Sequence, residues 1–377
     1  MMDNNQIIKY DNGQLIKVGN AIAVTNKLLA LTEPQLIPYR KKDKWGFCTA
    51  DKKIVIDCVY DIPFFGLSFY NELACVEKDF FTGYINKKGD TVIPFIYEYY
   101  SYNFSDGYAT VLKENYWGVI DVRGKIVVPF IYVYPPKFAN NVAIVRLENK
   151  KYGVIDINGN IIVPLIYDGI SDFSEGLACV EIDKKYGYID TKGNLFIDCV
   201  YDFAIDFSEG LAAVKKRRKY GFIDKKGDVV IPFIYDSFSR FSEGLASVEV
   251  DGNYGFIDTR GNTIIPFKYE FVKHKYSNKN FSEGLAIFEK NGKLGYLNRE
   301  GNEVIPATYD GADLFSEGFA GVVLDYVDSG FIDKSGNIQI PFIYSETRSF
   351  SNGIAQVFDW NEKTGYINKQ GVEYWED

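Results

Sequence analysis

The sequence predicts an all-β protein: ten tandem three-stranded antiparallel meanders of about 34 residues each, stacked as an open curved β array. Three observations carry this expectation. An eight-residue phrase recurs almost unchanged, as FSEGLACV at 173–180, FSEGLAAV at 207–214, FSEGLASV at 241–248 and FSEGLAIF at 281–288. An aromatic–glycine pair, or a relic of one, recurs at Trp45-Gly46, Thr82-Gly83, Trp117-Gly118, Tyr152-Gly153, Tyr186-Gly187, Tyr220-Gly221, Tyr254-Gly255, Leu294-Gly295, Ser329-Gly330 and Thr364-Gly365. The glycine intervals are 37, 35, 35, 34, 34, 34, 40, 35 and 35. Finally, two Met stand against 29 Tyr and 29 Phe, a bias that suits strands better than helices.

One clean unit, Phe207–Asp236, justifies each element in order. The glycine of Ser-Glu-Gly fits a turn that requires positive φ. LAAV then reads as a short strand, KKRRK as a charged loop and YGFID as a second strand. In DKKG, Asp occupies the first and Gly the fourth turn position, the preference of a type I turn. DVVIPFIYD is the third strand, and about four residues lead to the next Phe.

Proline recurs inside the third strand, at Pro94, Pro129, Pro164, Pro232, Pro266, Pro306 and Pro341. Since proline cannot donate to a ladder, that strand is expected at an edge or a bulge. Two units carry Asp57-Cys58 and Asp198-Cys199 instead, which predicts a local difference in their packing.

Residues 1–35 lie outside the repeat and are read as a cap, 36–377 as the ten repeats. Asn-Gly within IIKYDNGQLIKV signals a hairpin, and TNKLLALTE a short helix with Thr25 as its N-cap. Three strands per unit and ten units suit a typical propeller poorly. Neither terminus supplies the half unit missing at the other, so the open array is favoured over the alternative, a closed β-propeller.

Composition narrows function. The net charge is −9, from 42 basic and 51 acidic residues, with one five-residue basic run at 215–219, so nucleic acid is not an expected partner. No stretch approaches the ~18 apolar residues of a membrane span, and no leader-like segment opens the chain, so membrane insertion is not expected and a cytoplasmic location is. The five Cys occupy letters that sister units fill with Ala, Phe or Ile, and no C-x-x-C occurs. They read as small buried hydrophobes rather than metal ligands.

KWGFC, YWGVID, the YGFIDKKG series, VIPFIYD and FSEGLA together resemble the WG (KWG) repeats of bacterial proteins, over roughly Leu36 to Gly371. Trp survives in only two of the ten pairs. The resemblance implies an interaction module without a general catalytic activity, and it names no substrate.

The residues themselves point the same way. The chain contains no G-x-S-x-G, H-E-x-x-H or P-loop, and abundant carboxylates occupy turn letters, so no catalytic residue, cofactor or metal site is expected. Two irregularities break the pattern. Extra tyrosines crowd two connectors, Tyr99, Tyr100 and Tyr102 in one and Tyr134 in the other. A ten-residue connector at 271–280 replaces the usual four and carries Lys273, His274, Lys275 and Tyr276. These eight residues are the candidate contacts of a non-catalytic scaffold that binds another protein. The alternative is a carbohydrate- or cell-wall-binding protein that uses exposed tyrosines. A protein scaffold should show a broad apolar patch, and a sugar binder two or more solvent-facing aromatics among polar neighbours.

Overall fold

The computed structural model describes residues 35–61, 67–70, 72–139, 141–148, 150–270, 280–361 and 363–377, together with the backbone of 7–9 and 15–17. Residues 7–9 and 15–17 pair antiparallel, Ile8 opposite Ile16, as the hairpin signal requires. The helix expected from Thr25 lies outside the described residues. The remaining strands form ten small antiparallel sheets, here called blades 1 to 10 in chain order.

Blade 6 shows how the repeat letters build a sheet. Leu211–Lys216, Lys219–Asp224 and Val229–Tyr235 are the three expected strands. A fourth, only two residues long, lies in the connector at Phe203–Ala204 and pairs with Lys215 and Val214. A two-residue strand leaves no periodic signal, so the sequence showed it only as loop.

The turns explain several letters at once. Glu209 and Gly210 both adopt positive φ, 54° and 82°, and Ser208 and Leu211 exchange both backbone hydrogen bonds across them. That is the two-residue hairpin loop whose twist matches the flanking strands. Arg217 and Arg218 repeat the device, with φ of 51° and 73°. In the DKKG turn, Asp224 Oδ1 accepts from the backbone N–H of Lys226 and Asp228, while Gly227 N–H donates to Asp224 O at 3.0 Å.

The aromatic–glycine pair and the proline prove to be two halves of one feature. Tyr220 faces Tyr235 and Phe222 faces Ile231, so Pro232, Phe233 and Ile234 bulge out opposite the single residue Gly221. A Cβ on Gly221 would meet Ile231 O at 2.6 Å. Glycine is required because the bulged strand lies directly on it. The third strand is also a sheet edge, so proline sits where both expectations placed it.

Asp57-Cys58 and Asp198-Cys199 keep the bulge, since Cβ atoms on Gly46 and Gly187 would still meet Ile56 O at 2.3 Å and Ile197 O at 2.4 Å. What these blades lose is an aromatic stack. Where a Phe follows the proline it stacks on the last Tyr of the preceding blade, as in Tyr60–Phe95, Tyr97–Phe130 and Tyr235–Phe267, at 6.2–6.4 Å; Leu165 and Ala307 forgo the stack in blades 4 and 8. All five cysteines are free and buried or half-buried, and burial pushes the Cys48 and Cys179 thiols up to about 12.

The open array is wrong: the blades close into a ring, the propeller alternative. Blade 1 comprises Ile37–Lys41, Lys44–Cys48 and Ile54–Tyr60, and its fourth strand is the chain's end, Trp375–Glu376, paired parallel to Arg40 and Lys41. Tyr374 is fully buried in one core with Tyr39, Trp45 and Tyr366, so blades 10 and 1 share a hydrophobic interior. Buried Arg40 donates to Thr364 O at 2.9 Å and to Asp377 at 2.8 Å. In seven other blades two residues of the incoming connector add an antiparallel strand, and in blade 1 the EYWED tail takes that place with a parallel one. Its lack of any repeat letter hid that role in the sequence.

Candidate binding surfaces

Two conserved-looking letters clamp neighbouring blades. The Asp that ends a third strand takes the Lys of its own blade and a backbone N–H from the next. Asp202 binds Lys185 Nζ at 2.6 Å and accepts from Arg217 N–H at 3.1 Å, and Asp236 does the same with Lys219 and Asp251. These lysine contacts hold the Asp168, Asp202 and Asp236 carboxyls below their ordinary range.

A second seam joins the Ser-Glu-Gly turns of blades 5 to 10. Ser208 Oγ donates to Phe241 O at 2.7 Å, Gly244 N–H donates to Glu209 at 2.8 Å, and the pattern repeats from Ser174 to Gly353. The glutamate ladder is therefore structural. Blades 2 to 4 spell the turn YNEL, SDGY and NNV; blade 3 keeps the Ser and Gly, and none of the three has the full Ser-Glu-Gly.

With these letters assigned, two surfaces remain. The first is an apolar belt on the third strands. Two residues after the proline letter, Val59, Ile96, Ile131, Ile166, Val200, Ile234 and Ile343 are each 46–52% exposed. Val229, Leu195, Ile161 and Ile338 extend the belt at the start of the same strands. Inter-blade Tyr–Phe stacks link the third strands of blades 1 to 3 and of blades 5 to 7, joining the belt there. Lys268 and Thr308 take the same letter in blades 7 and 8 and interrupt it. The signal available in the sequence was an edge strand, marked in most units by proline, with few polar residues on either face.

The second surface lies at the tyrosine-rich connectors. Tyr102 packs on Trp117 and Tyr134 on Tyr152, each with ring centroids 5.7 Å apart. The two tyrosines come together at a cavity of about 250 Å³, with Asn103, Tyr108, Lys137 and Asp172 in its wall. Tyr99 and Tyr100 do not join them: they pack on each other, 4.8 Å apart and exposed. Burial raises the Tyr102 and Tyr134 phenols above their ordinary range, and Asp172 raises Tyr134 further, so both are neutral hydroxyls at pH 7. Lys273, His274, Lys275 and Tyr276 lie outside the described residues.

Blades 9 and 10 hold a related cavity of about 650 Å³ at the equivalent connector letters, between Asp313 and Arg348. Gly321 opens it, where sister blades place Ala213 or Ser247. Burial raises the Asp313 carboxyl against the opposing pull of Arg348. Among the described residues, no group of three or more His, Cys, Asp or Glu is placed to hold a metal ion, and no helix is long and apolar enough to cross a membrane.

A ring of tandem three- and four-stranded blades, with candidate binding surfaces on edge strands and connectors, defines a repeat propeller. The chain belongs to the family described as "WG containing repeat", which matches it nine times, at 45–79, 83–117, 117–150, 152–186, 186–220, 220–254, 254–293, 295–326 and 330–358. No curated protein matches the sequence. Similar solved structures include a eukaryotic initiation factor (TM-score 0.49, 11% identity, covering 90% of this chain and 95% of that one). The computationally designed Ika8 protein gives 0.42, 13%, 70% and 94%. BamB from Moraxella catarrhalis gives 0.39, 11%, 80% and 95%. The ring rests on this chain's own strand pairing across the closure.

Proposed function

We propose that the protein is a non-catalytic scaffold that binds another protein through the apolar belt on the third strands of its blades. The observation that supports this reading is the constancy of the belt. One letter is aliphatic and about half exposed in seven blades, although solvent exposure alone would favour polar residues there. Proline and the bulge block edge-to-edge strand pairing, so the strand can present apolar side chains without templating aggregation. A partner would bury side chains rather than add a strand. Five free cysteines suit a reducing compartment and support a cytoplasmic location.

The test is capture from a lysate of the source organism by three forms of the protein. These are the wild type, a belt variant (Ile131→Lys, Ile166→Lys, Val200→Lys, Ile234→Lys) and a connector variant (Tyr99→Ser, Tyr100→Ser). The expected result is one stoichiometric protein captured by wild type and connector variant and lost by the belt variant, whose circular dichroism is unchanged. Equal capture by all three forms, or no capture by wild type, overturns the belt as the docking surface.

A further inference from the structure

The geometry points to a second, independent site: the cavity between the connectors of blades 3 and 4, which binds a single pyranose ring, free or at the end of an oligosaccharide. The argument starts from how its two tyrosines are held. Tyr102 is fixed from behind by Trp117, and its carbonyl accepts from buried Tyr84 Oη at 2.6 Å. Tyr134 leans on Tyr152 and keeps 42% of its surface exposed. Both rings are braced by other aromatics instead of serving as core themselves, so little ordering entropy is spent when a ligand stacks on them.

The polar groups fit the same ligand. Asn103 lines the cavity and buries its Oδ1 with no hydrogen-bond partner. An unsatisfied buried acceptor costs about 1–3 kcal/mol, and the carboxamide gives up no hydrogen bond at that oxygen when it turns toward a ligand hydroxyl. The two phenols are neutral and both donate and accept. Lys137 and Asp172 place one charge of each sign at the wall, so the site favours neither an anion nor a cation. A neutral ligand with one C–H face and several hydroxyls satisfies the rings, the amide and the balanced rim together; a sugar ring is such a ligand. The small volume limits the enclosed part to one ring, and the remaining units of a chain would lie outside.

The test titrates the full chain with D-glucose, D-galactose, N-acetyl-D-glucosamine, cellotetraose and chitotetraose, using saturation-transfer NMR and calorimetry. The expected result is saturable binding of at least one of these probes, weakened tenfold or more by Tyr134→Ala and by Asn103→Ala. The paired variant Tyr99→Ala/Tyr100→Ala, outside the cavity, should bind as wild type. A tetramer that binds where its monosaccharide does not would assign the site to a chain end; equal affinities would assign it to free sugar. Tyr134 is half exposed, so its truncation leaves the fold intact, which circular dichroism verifies. No saturable binding of any probe by wild type, or unchanged binding by Tyr134→Ala, overturns the proposal without touching the belt.

Discussion

Blades 5 to 10 and blades 2 to 4 solve the same packing problem with different chemistry. In the first arc the Ser-Glu-Gly turns hand hydrogen bonds from blade to blade, and Asp202, Asp236 and Asp310 clamp the next hairpin. In the second arc those letters drift: Asp106 and Asn141 stand in the turns, and Val133 replaces the clamping Asp of blade 3. There Tyr102 is braced by Trp117 within blade 3 and Tyr134 by Tyr152 within blade 4, while Tyr108 reaches Phe138 of the next blade; aromatic pairs such as Phe203–Phe238 cross blades of the first arc as well. A reciprocal hydrogen bond leaves little freedom in the connector, and the tyrosine-lined cavity lies in the arc that lacks that seam.

Three measurements sharpen or break this contrast. The largest effect should be common to both arcs. Gly187→Ala drives a Cβ to 2.4 Å from Ile197 O, and Gly118→Ala one to 2.9 Å from Val128 O and the Phe130 ring. Overpacking of this kind costs about 1–3 kcal/mol and sometimes more. Both variants should lose at least that much in urea unfolding, Gly187→Ala the more because only backbone could yield. Tolerance at Gly118 with loss at Gly187 would show that the aromatic arc is the looser one.

A medium effect should separate the arcs. Ser208→Ala and Glu209→Ala remove seam contacts, and each should cost about 1 kcal/mol. Asp106→Asn, at the equivalent letter of blade 3, should leave stability within about 0.5 kcal/mol of wild type. Equal costs at Glu209 and Asp106 would mean that the seam does not hold the ring together.

The smallest effect concerns pH. The carboxyls of Asp168, Asp202 and Asp236 lie below their unfolded value, so the unfolded chain takes up protons first as pH falls. Their contribution is present above about pH 4 and is lost as pH drops through the lowered range. Hydrogen-exchange protection factors, corrected for the intrinsic rate at each pH, should therefore fall from pH 6 to pH 3 in blades 4 to 7 before they do in blade 3, where Val133 carries no charge. Asp202→Asn with Asp236→Asn should flatten that dependence. A uniform loss of protection around the ring would dissociate it from the clamps.

Much of the architecture was legible because the repeat tests each letter ten times. The period, three strands of each unit, the positive-φ glycine and the Asp–Gly turn all follow from local rules about backbone and propensity. The proline was equally readable as an edge or bulge marker, although its partnership with the preceding glycine required the register of two strands. At the candidate sites the reading was divided. Tyr102 and Tyr134 are 32 residues apart, and nothing local distinguishes them from Tyr99 and Tyr100, which face elsewhere. Only the stacking of one connector on the next joins the first pair.

What the sequence by itself determined is the blade, because a blade is made by short-range turns and alternating contacts within about 34 residues. What the tertiary structure decided is the closure and the surfaces. Whether ten blades open or close depends on the small rotation between neighbours, summed around the whole chain. That sum brings the terminal Trp375 against Arg40, 335 residues away in the sequence. The belt has the same origin: an isoleucine in a third strand belongs to the core or to the surface according to what is packed beyond that edge, and the ring leaves nothing beyond it among the described residues.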